Sequence, residues 1–270
     1  MWPPAARWSE HVVMFIVRDT RGCALAAHER INRFPANPYC CITWMLEGAA
    51  RIVSHGDVPR DEALPAHFVH GCQTRPCVSR DEGDRHSFCV AFHPDAFHAL
   101  FGVDLAVLQD VFLDAARVLP GHGVRLVEAV ARAGDDDERR RIVEDFLATH
   151  ATTAHASAWQ RLRRLGVNVG LHVASRLLGV GPRQVQRLAL REGGMSVPGL
   201  SRLWRAERSM RKVREALRRG EAIDWAGHAV DAGYADQAHL VRDCKEICGR
   251  TPTRIAQQAR EDEADWFYRL

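Results

Sequence analysis

Nowhere in the 270 residues do enough apolar side chains run together to cross a membrane, which takes about 18. The amino terminus, Met1-Trp2-Pro3-Pro4, has no cationic start leading into an apolar run. A spanning helix and a secretory leader are therefore not expected, no membrane partner is expected, and the expected compartment is the cytoplasm. No Cys-x-x-Cys occurs, and the pairs His67-x-x-His70 and Cys72 to Cys77 are too loose to read as ligand spacing, so no metal site is expected. There is no Ser-His-Asp motif, no glycine-rich phosphate loop and no paired-carboxylate signature, so neither enzymatic chemistry nor a cofactor is expected. The eight cysteines are expected to be free thiols in a reducing compartment, buried and inert by default. Cys72 and Cys77, flanked by Gly and Pro that suggest an exposed loop, are the two candidates for sensing redox or metal.

What is present is one motif written twice. In the first copy, Leu171-His172-Val173-Ala174-Ser175-Arg176-Leu177-Leu178 stops at Gly179 and restarts at Pro182 as Pro182-Arg183-Gln184-Val185-Gln186-Arg187-Leu188. In the second, Trp225-Ala226-Gly227-His228-Ala229-Val230-Asp231-Ala232 stops at Gly233 and restarts at Asp236 as Asp236-Gln237-Ala238-His239-Leu240-Val241-Arg242. Ser175 and Ala229 are small where two steeply crossed helices approach each other, and the glycines supply the left-handed conformation that ends a helix. Pro182 suits a first helical turn and Asp236 an N-cap. Each second helix gathers polar side chains: Arg183, Gln184, Gln186 and Arg187 in one, Gln237, His239 and Arg242 in the other. Arg matches guanine O6/N7 and Gln adenine N6/N7, so these are the candidate DNA-binding residues, with double-stranded DNA as the partner. A solvated polar helix face is the plainer reading of either copy alone, and the duplication argues against it.

Between the copies, Leu203, Ala206, Met210, Val213 and Leu217 recur at spacings of three and four, predicting a long amphipathic helix over Pro198 to Arg219. At 1.5 Å per residue it would extend about 33 Å, close to the roughly 34 Å between successive major-groove faces on one side of B-DNA. Charge is sorted in the same way. Residues 160–260 carry 20 Arg and Lys against 9 Asp and Glu, residues 1–159 carry 16 against 21, and the last ten carry 1 against 4. Only Lys212 and Lys245 of the basic segment are lysines, and guanidinium suits bidentate phosphate and guanine contacts. Arg202, Arg205 and Arg208 are the candidate phosphate anchors.

The segment from about Leu171 to Arg260 resembles the DNA-binding domain of AraC/XylS-type transcription regulators. The run Ala232-Gly233-Tyr234-Ala235-Asp236-Gln237-Ala238-His239-Leu240-Val241-Arg242, closed by Gly249-Arg250-Thr251-Pro252, is similar to the family's second helix-turn-helix. The run from Gly179 to Arg187 is similar to its first. The resemblance implies an α+β chain: a β-rich, cupin-like small barrel with a helical pair, then an all-α domain with two helix-turn-helix units on a long linker helix. It also implies a small-molecule effector, a homodimer through the helices at Val124 to Val130 and Glu138 to His150, and RNA polymerase as partner if the protein activates. Three departures stand out. Ala189 and Cys244 occupy positions where the family has a core Phe, and His228 one where it has a branched aliphatic; Trp204, Trp225 or Leu190 would have to fill the space.

The first 150 residues fit the barrel. Strand-like runs occur at His11 to Val17, Cys40 to Met45, Ala50 to Ser54, His67 to Val69 and Ser87 to Phe92, and helical periodicity begins near Pro94. The expected division is a sensor and dimerisation domain over 1–150, a linker over 151–159, a DNA-binding domain over 160–260 and an acidic tail over 261–270. That tail is expected to avoid DNA, either folded back or free. Two other classes stay open: a metal- or thiol-dependent enzyme or sensor with an appended helical domain, and a protein-interaction module of helical hairpins. Repair proteins of the Ada type, which join such a module to reactive cysteines, are set aside because their Pro-Cys-His-Arg motif is missing and Pro76-Cys77-Val78-Ser79 is the nearest string.

Overall fold

The computed structural model describes residues 1–151 and 171–269. Nine strands form the first half: Val12–Asp19 (β1), Ile31–Phe34 (β2), Cys40–Glu47 (β3), Ala50–His55 (β4), Val58–Ala63 (β5), His67–His70 (β6), Cys77–Asp81 (β7), His86–Phe92 (β8) and Leu113–Asp114 (β9). They make two antiparallel sheets, ordered β1-β8-β3-β6-β9 and β2-β7-β4-β5.

Side-chain alternation decides what each face of the larger sheet does. Cys40, Ile42 and Trp44 of β3 and Phe88, Val90 and Phe92 of β8 face one way, into a core closed by three helices, Pro94–Phe101 (α1), Gly121–Arg132 (α3) and Asp136–His150 (α4). The short helix Ala115–Val118 (α2) leads into them. The Trp44 indole N–H donates to the Val127 carbonyl at 2.9 Å, tying sheet to helix. Asp135 caps α4, accepting from the Glu138 amide at 2.7 Å, so the acidic run does open that helix. Cys41, Thr43 and Met45 of β3, with Cys89 and Ala91 of β8, face the opposite way, into a cavity between the two sheets. Both faces are covered, which is why β3 and β8 are densely apolar in sequence.

The apolar stripes of α3 and α4 (Leu126, Val127, Val130, Val143, Phe146, Leu147) are consumed by this core. Only the more polar outer faces of the pair are left for a second subunit.

The second half is helical: Leu171–Leu178 (α5), Pro182–Gly193 (α6), Val197–Arg219 (α7), Trp225–Asp231 (α8), Gln237–Cys248 (α9), Pro252–Glu261 (α10), then a 3-10 segment, Glu263–Arg269. No helix among the described residues is long and apolar enough to cross a membrane. The linker expected over 151–159 lies, from residue 152 on, outside the described residues. The last segment is not free: it folds back along β2.

The end of α6 rests on the barrel. The Cys72 thiol, fully buried, donates to the Gly193 carbonyl at 3.0 Å, and Gly194, at φ +74°, leaves so little room that a Cβ there would meet Cys72 Sγ at 3.1 Å. This corrects the exposed-loop reading of Cys72 and Cys77. Both are buried, and burial pushes each thiol up to about 12, so neither supplies a thiolate at neutral pH. Gly and Pro do mark a loop, but the second half of the chain covers it. Cys23 is the one exposed cysteine among the described residues. With a thiol-specific chromogenic reagent, native protein is expected to show one fast thiol, abolished by Cys23→Ser, while Cys72 and Cys77 react only on unfolding. Fast labelling of Cys72 would contradict the packing of α6 on the barrel.

Candidate nucleic-acid interface and barrel cavity

The two helix-turn-helix copies turn in the same way. Gly179 (φ +65°) and Gly233 (φ +82°) are both left-handed. In each copy the glycine amide bonds back three residues, to Arg176 and Val230, and the next amide bonds back five, Val180 to Ser175 at 3.2 Å and Tyr234 to Ala229 at 2.9 Å. Pro182 opens α6, and Asp236 caps α9 by accepting from the His239 amide at 2.6 Å. α7 spans 23 residues, one more than the periodicity predicts, because Ser196 caps it and Val197 is already helical.

Of the candidate reading residues, Arg183, Gln184 and Arg187 on α6 and Gln237 and Arg242 on α9 are exposed. Gln186 is half-buried. His239 is also half-buried, held by an edge-on contact with Tyr234 at 5.2 Å and by the Ala235 amide at 3.4 Å. The inner faces of the two helices seat them, through Val185 and Ala189 on α6 and Leu240, Cys244 and Ile247 on α9.

The anchor assignment needs correction. Arg202 pairs with Asp243 and, at 2.5 Å, with Glu246; Arg205 reaches the same Asp243 at 3.4 Å and lies 4.7 Å over the Tyr234 ring. These arginines of α7 hold α9 in place. Arg208 is engaged as well. The partners of Arg202 and Arg205 lie about forty residues further along the chain, so local sequence gives no sign of them.

The departures from the family pattern resolve separately. His228 is accommodated by a 2.8 Å hydrogen bond with the buried Ser209 hydroxyl on α7, and burial, reinforced by Lys212, lowers its pKa. Ala189 is fully buried in the domain core, against which Trp204 packs, whereas Leu190 points outward at 38% exposed. Trp225 belongs to the small cluster around Ala229 and Tyr234. A small pocket of about 10 Å³, the size of about one water molecule, remains beside Cys244.

Sequence reasoning missed the cavity's composition. It holds about 130 Å³ between the sheets, lined by Met14, Ile16, Ile52, Phe68 and Phe112, with His70, Gln73 and Arg85 as polar points, and it reaches Glu207 and Arg214 of α7 and Trp266 of the last segment. Burial holds His70 below its usual value and therefore neutral near pH 7. Asp110 accepts from the Thr74 amide (2.6 Å) and hydroxyl (2.5 Å) and faces His55 at 3.4 Å. Burial opposes its ionisation, but His55 and Thr74 outweigh that and hold the carboxyl at about 2. Among the described residues no group of three or more His, Cys, Asp or Glu side chains is placed to hold a metal.

A β-barrel with an internal cavity, joined to paired helix-turn-helix units with outward Arg and Gln side chains, defines a DNA-binding transcription regulator. Residues 174–258 match the family model described as a helix-turn-helix domain, and residues 2–114 match a domain of unknown function (DUF6597). The helix-turn-helix match, over the helical half of the chain, supports a regulator of the AraC/XylS type. The chain is similar in fold to ToxT from Vibrio cholerae: an apo variant superposes with a TM-score of 0.50 at 13% identity, over 90% of this chain and 96% of that one. A second ToxT crystal form gives 0.49 at 10% identity, over 90% and 97%. No curated protein sequence matches the chain.

Proposed function

We propose that this regulator reads two adjacent major grooves and answers to a small molecule held in the barrel. The observation that carries the reading is the pair of exposed polar helix faces, α6 and α9, on one 23-residue helix. At 1.5 Å per residue that helix is about 35 Å long, near one turn of B-DNA. Arg183, Gln184, Gln186 and Arg187 would enter one groove, and Gln237, His239 and Arg242 the next. The division of the chain into a sensor over 1–150, a linker over 151–159 and a DNA-binding domain over 160–260 belongs to the same proposal. So do a homodimer through the outer faces of α3 and α4, and contact with RNA polymerase where the protein activates. The cavity supports the effector part: it is concave, mostly apolar and carries a few polar points, as small-molecule sites do.

The test is footprinting of purified protein on the DNA upstream of its own gene, followed by titration with salt. Two protected patches one helical turn apart are expected, with affinity falling steeply as salt rises because bound counterions are released. Absence of footprints with and without metabolite extracts, or binding indifferent to salt, would count against DNA recognition and favour a protein-interaction module.

A further inference from the structure

Two thiols meet on the cavity face of the larger sheet. Cys41 on β3 stands opposite Ala91 of β8, and Cys89 on β8 stands opposite Thr43 of β3, so the two cysteines are diagonal neighbours on one face of adjacent strands. Both line the cavity and both are free. Cys41 is buried and Cys89 half-buried, and Ala91 puts only a methyl group beside them. The Cys41 thiol donates to Cys89, the Thr43 hydroxyl donates to it as well, and the Arg85 guanidinium lies near; together these outweigh burial and lower the Cys89 pKa. Cys41, the donor of the pair, is pushed up by that bond and by burial. Cys89 is therefore the first of the two to ionise, with the Cys41 proton aimed at it.

Their diagonal placement limits what can join the sulfurs. Diagonal residues on antiparallel strands lie about 7 to 8 Å apart, whereas two cysteines more than about 7 Å apart at Cα cannot form a disulfide without backbone movement. Both strands are held on two sides, β8 between β1 and β3, and β3 between β8 and β6. A direct S–S bond would have to shift that sheet, while a single atom inserted between the sulfurs supplies the missing length. Such an atom must be soft to prefer sulfur. It must also accept two protein ligands, because among the described residues no third His, Cys, Asp or Glu joins the pair to hold a metal. Zinc, which takes four ligands in structural sites, does not meet that condition. Charge narrows the choice again. The wall is apolar through Met14, Ile16 and Phe68, where a net charge is costly. Two thiolates cancel a divalent cation, and two sulfurs on a trivalent arsenic that carries one organic group leave no charge at all.

We propose that Cys41 and Cys89 form a two-sulfur site in the barrel wall for one soft, thiophilic atom, either a two-coordinate divalent cation or the arsenic of an organic arsenical. With the cation, each thiol releases its proton to solvent and two metal–sulfur bonds form without change of oxidation state. With the arsenical, two As–O bonds of the hydrated arsenic break, two As–S bonds form, and the oxygens leave as water carrying the thiol protons. Arsenic stays trivalent, and its organic group lies in the cavity of about 130 Å³. The site does not depend on the cavity serving an effector, because occupancy alone tests it.

The test uses the full chain carrying Cys23→Ser, which removes the exposed thiol, with mercuric chloride and phenylarsine oxide as separate probes. Adducts are counted by native mass spectrometry, and affinity is read by competition with ethanedithiol. Cys89→Ser and Cys41→Ala should each weaken one adduct of either probe by about 100-fold or more, since the second bond forms within one molecule. Cys89→Ala covers the case in which serine at that position does not fold. The competing pair is Cys244 and Cys248, buried one turn apart on α9 beside a pocket of about 10 Å³, too small for a phenyl group. Cys248→Ala should therefore leave phenylarsine oxide binding unchanged. Capture of mercury alone would assign the site to the cation, and capture of both would extend it to the arsenical. Binding of neither, adducts that survive both cavity variants, or adducts lost only with Cys248→Ala would overturn the site. So would a Cys41–Cys89 disulfide formed by diamide with the melting temperature unchanged, because the sulfurs would then need no atom between them.

Discussion

Asp243→Ala is expected to lower the stability of the helical domain by about 3 kcal/mol, the low end of the range for breaking a buried ion pair. The carboxylate is 5% exposed on the inner face of α9 and takes Arg202 and Arg205 from α7 together. Removing it strands Arg205, whose side chain is 18% exposed, and Arg202, which is 34% exposed and keeps Glu246. That remaining partner, and the solvent around Arg202, are why the low end applies. For a domain of about 100 residues, where 1 kcal/mol shifts the melting temperature by about 4 to 8 °C, the loss corresponds to a fall of roughly 12 to 24 °C. Asp243→Asn keeps an acceptor and should fall between wild type and alanine. The same contacts orient α9, so DNA affinity should drop along with stability. A melting temperature unchanged by alanine would mean that these arginines are free for DNA, as their sequence positions suggest.

The second half of the fold was legible in the sequence because its signals are local. Glycine four residues after a small side chain, a cap or proline three residues on, and apolar spacings of three and four all act within one or two turns of chain, and α5 to α9 form where those signals stand. β3 and β8 were legible because both their faces are buried. β5 was not: every residue of Val58–Ala63 is exposed, so this charged edge strand has no alternation to read. β7 was missed because its interior position Asp81 is polar, matched by Asn32 and Arg85 from other parts of the chain. The same long-range matching hid the roles of Arg202 and Arg205 and the cover over Cys72. The acidic tail is the sharpest case, since its composition left a folded-back and a free segment equally open, whereas its partners Arg18, Arg33 and Asn32 lie more than two hundred residues away.

Arg242→Ala should separate reading from folding. The side chain is exposed on α9 and forms no ion pair among the described residues, so alanine should leave the stability within about 0.5 kcal/mol of wild type, as for ordinary surface substitutions. On DNA the expected loss is about 1 to 3 kcal/mol, roughly 5- to 150-fold, and confined to one base position, as for one bidentate contact to guanine. The comparison that carries the argument is between operator variants. If Arg242 reads a base, the alanine protein binds the wild-type site and the site altered at that position equally, while still discriminating at the others. If it holds a phosphate, affinity falls by the same factor on every site and the salt dependence loses about one counterion. Unchanged affinity for every variant would remove Arg242 from the interface, and the second groove would then depend on Gln237 and His239. His239 is already held by Tyr234 and the Ala235 amide, so reaching a base would cost it contacts that Arg242 does not have to give up.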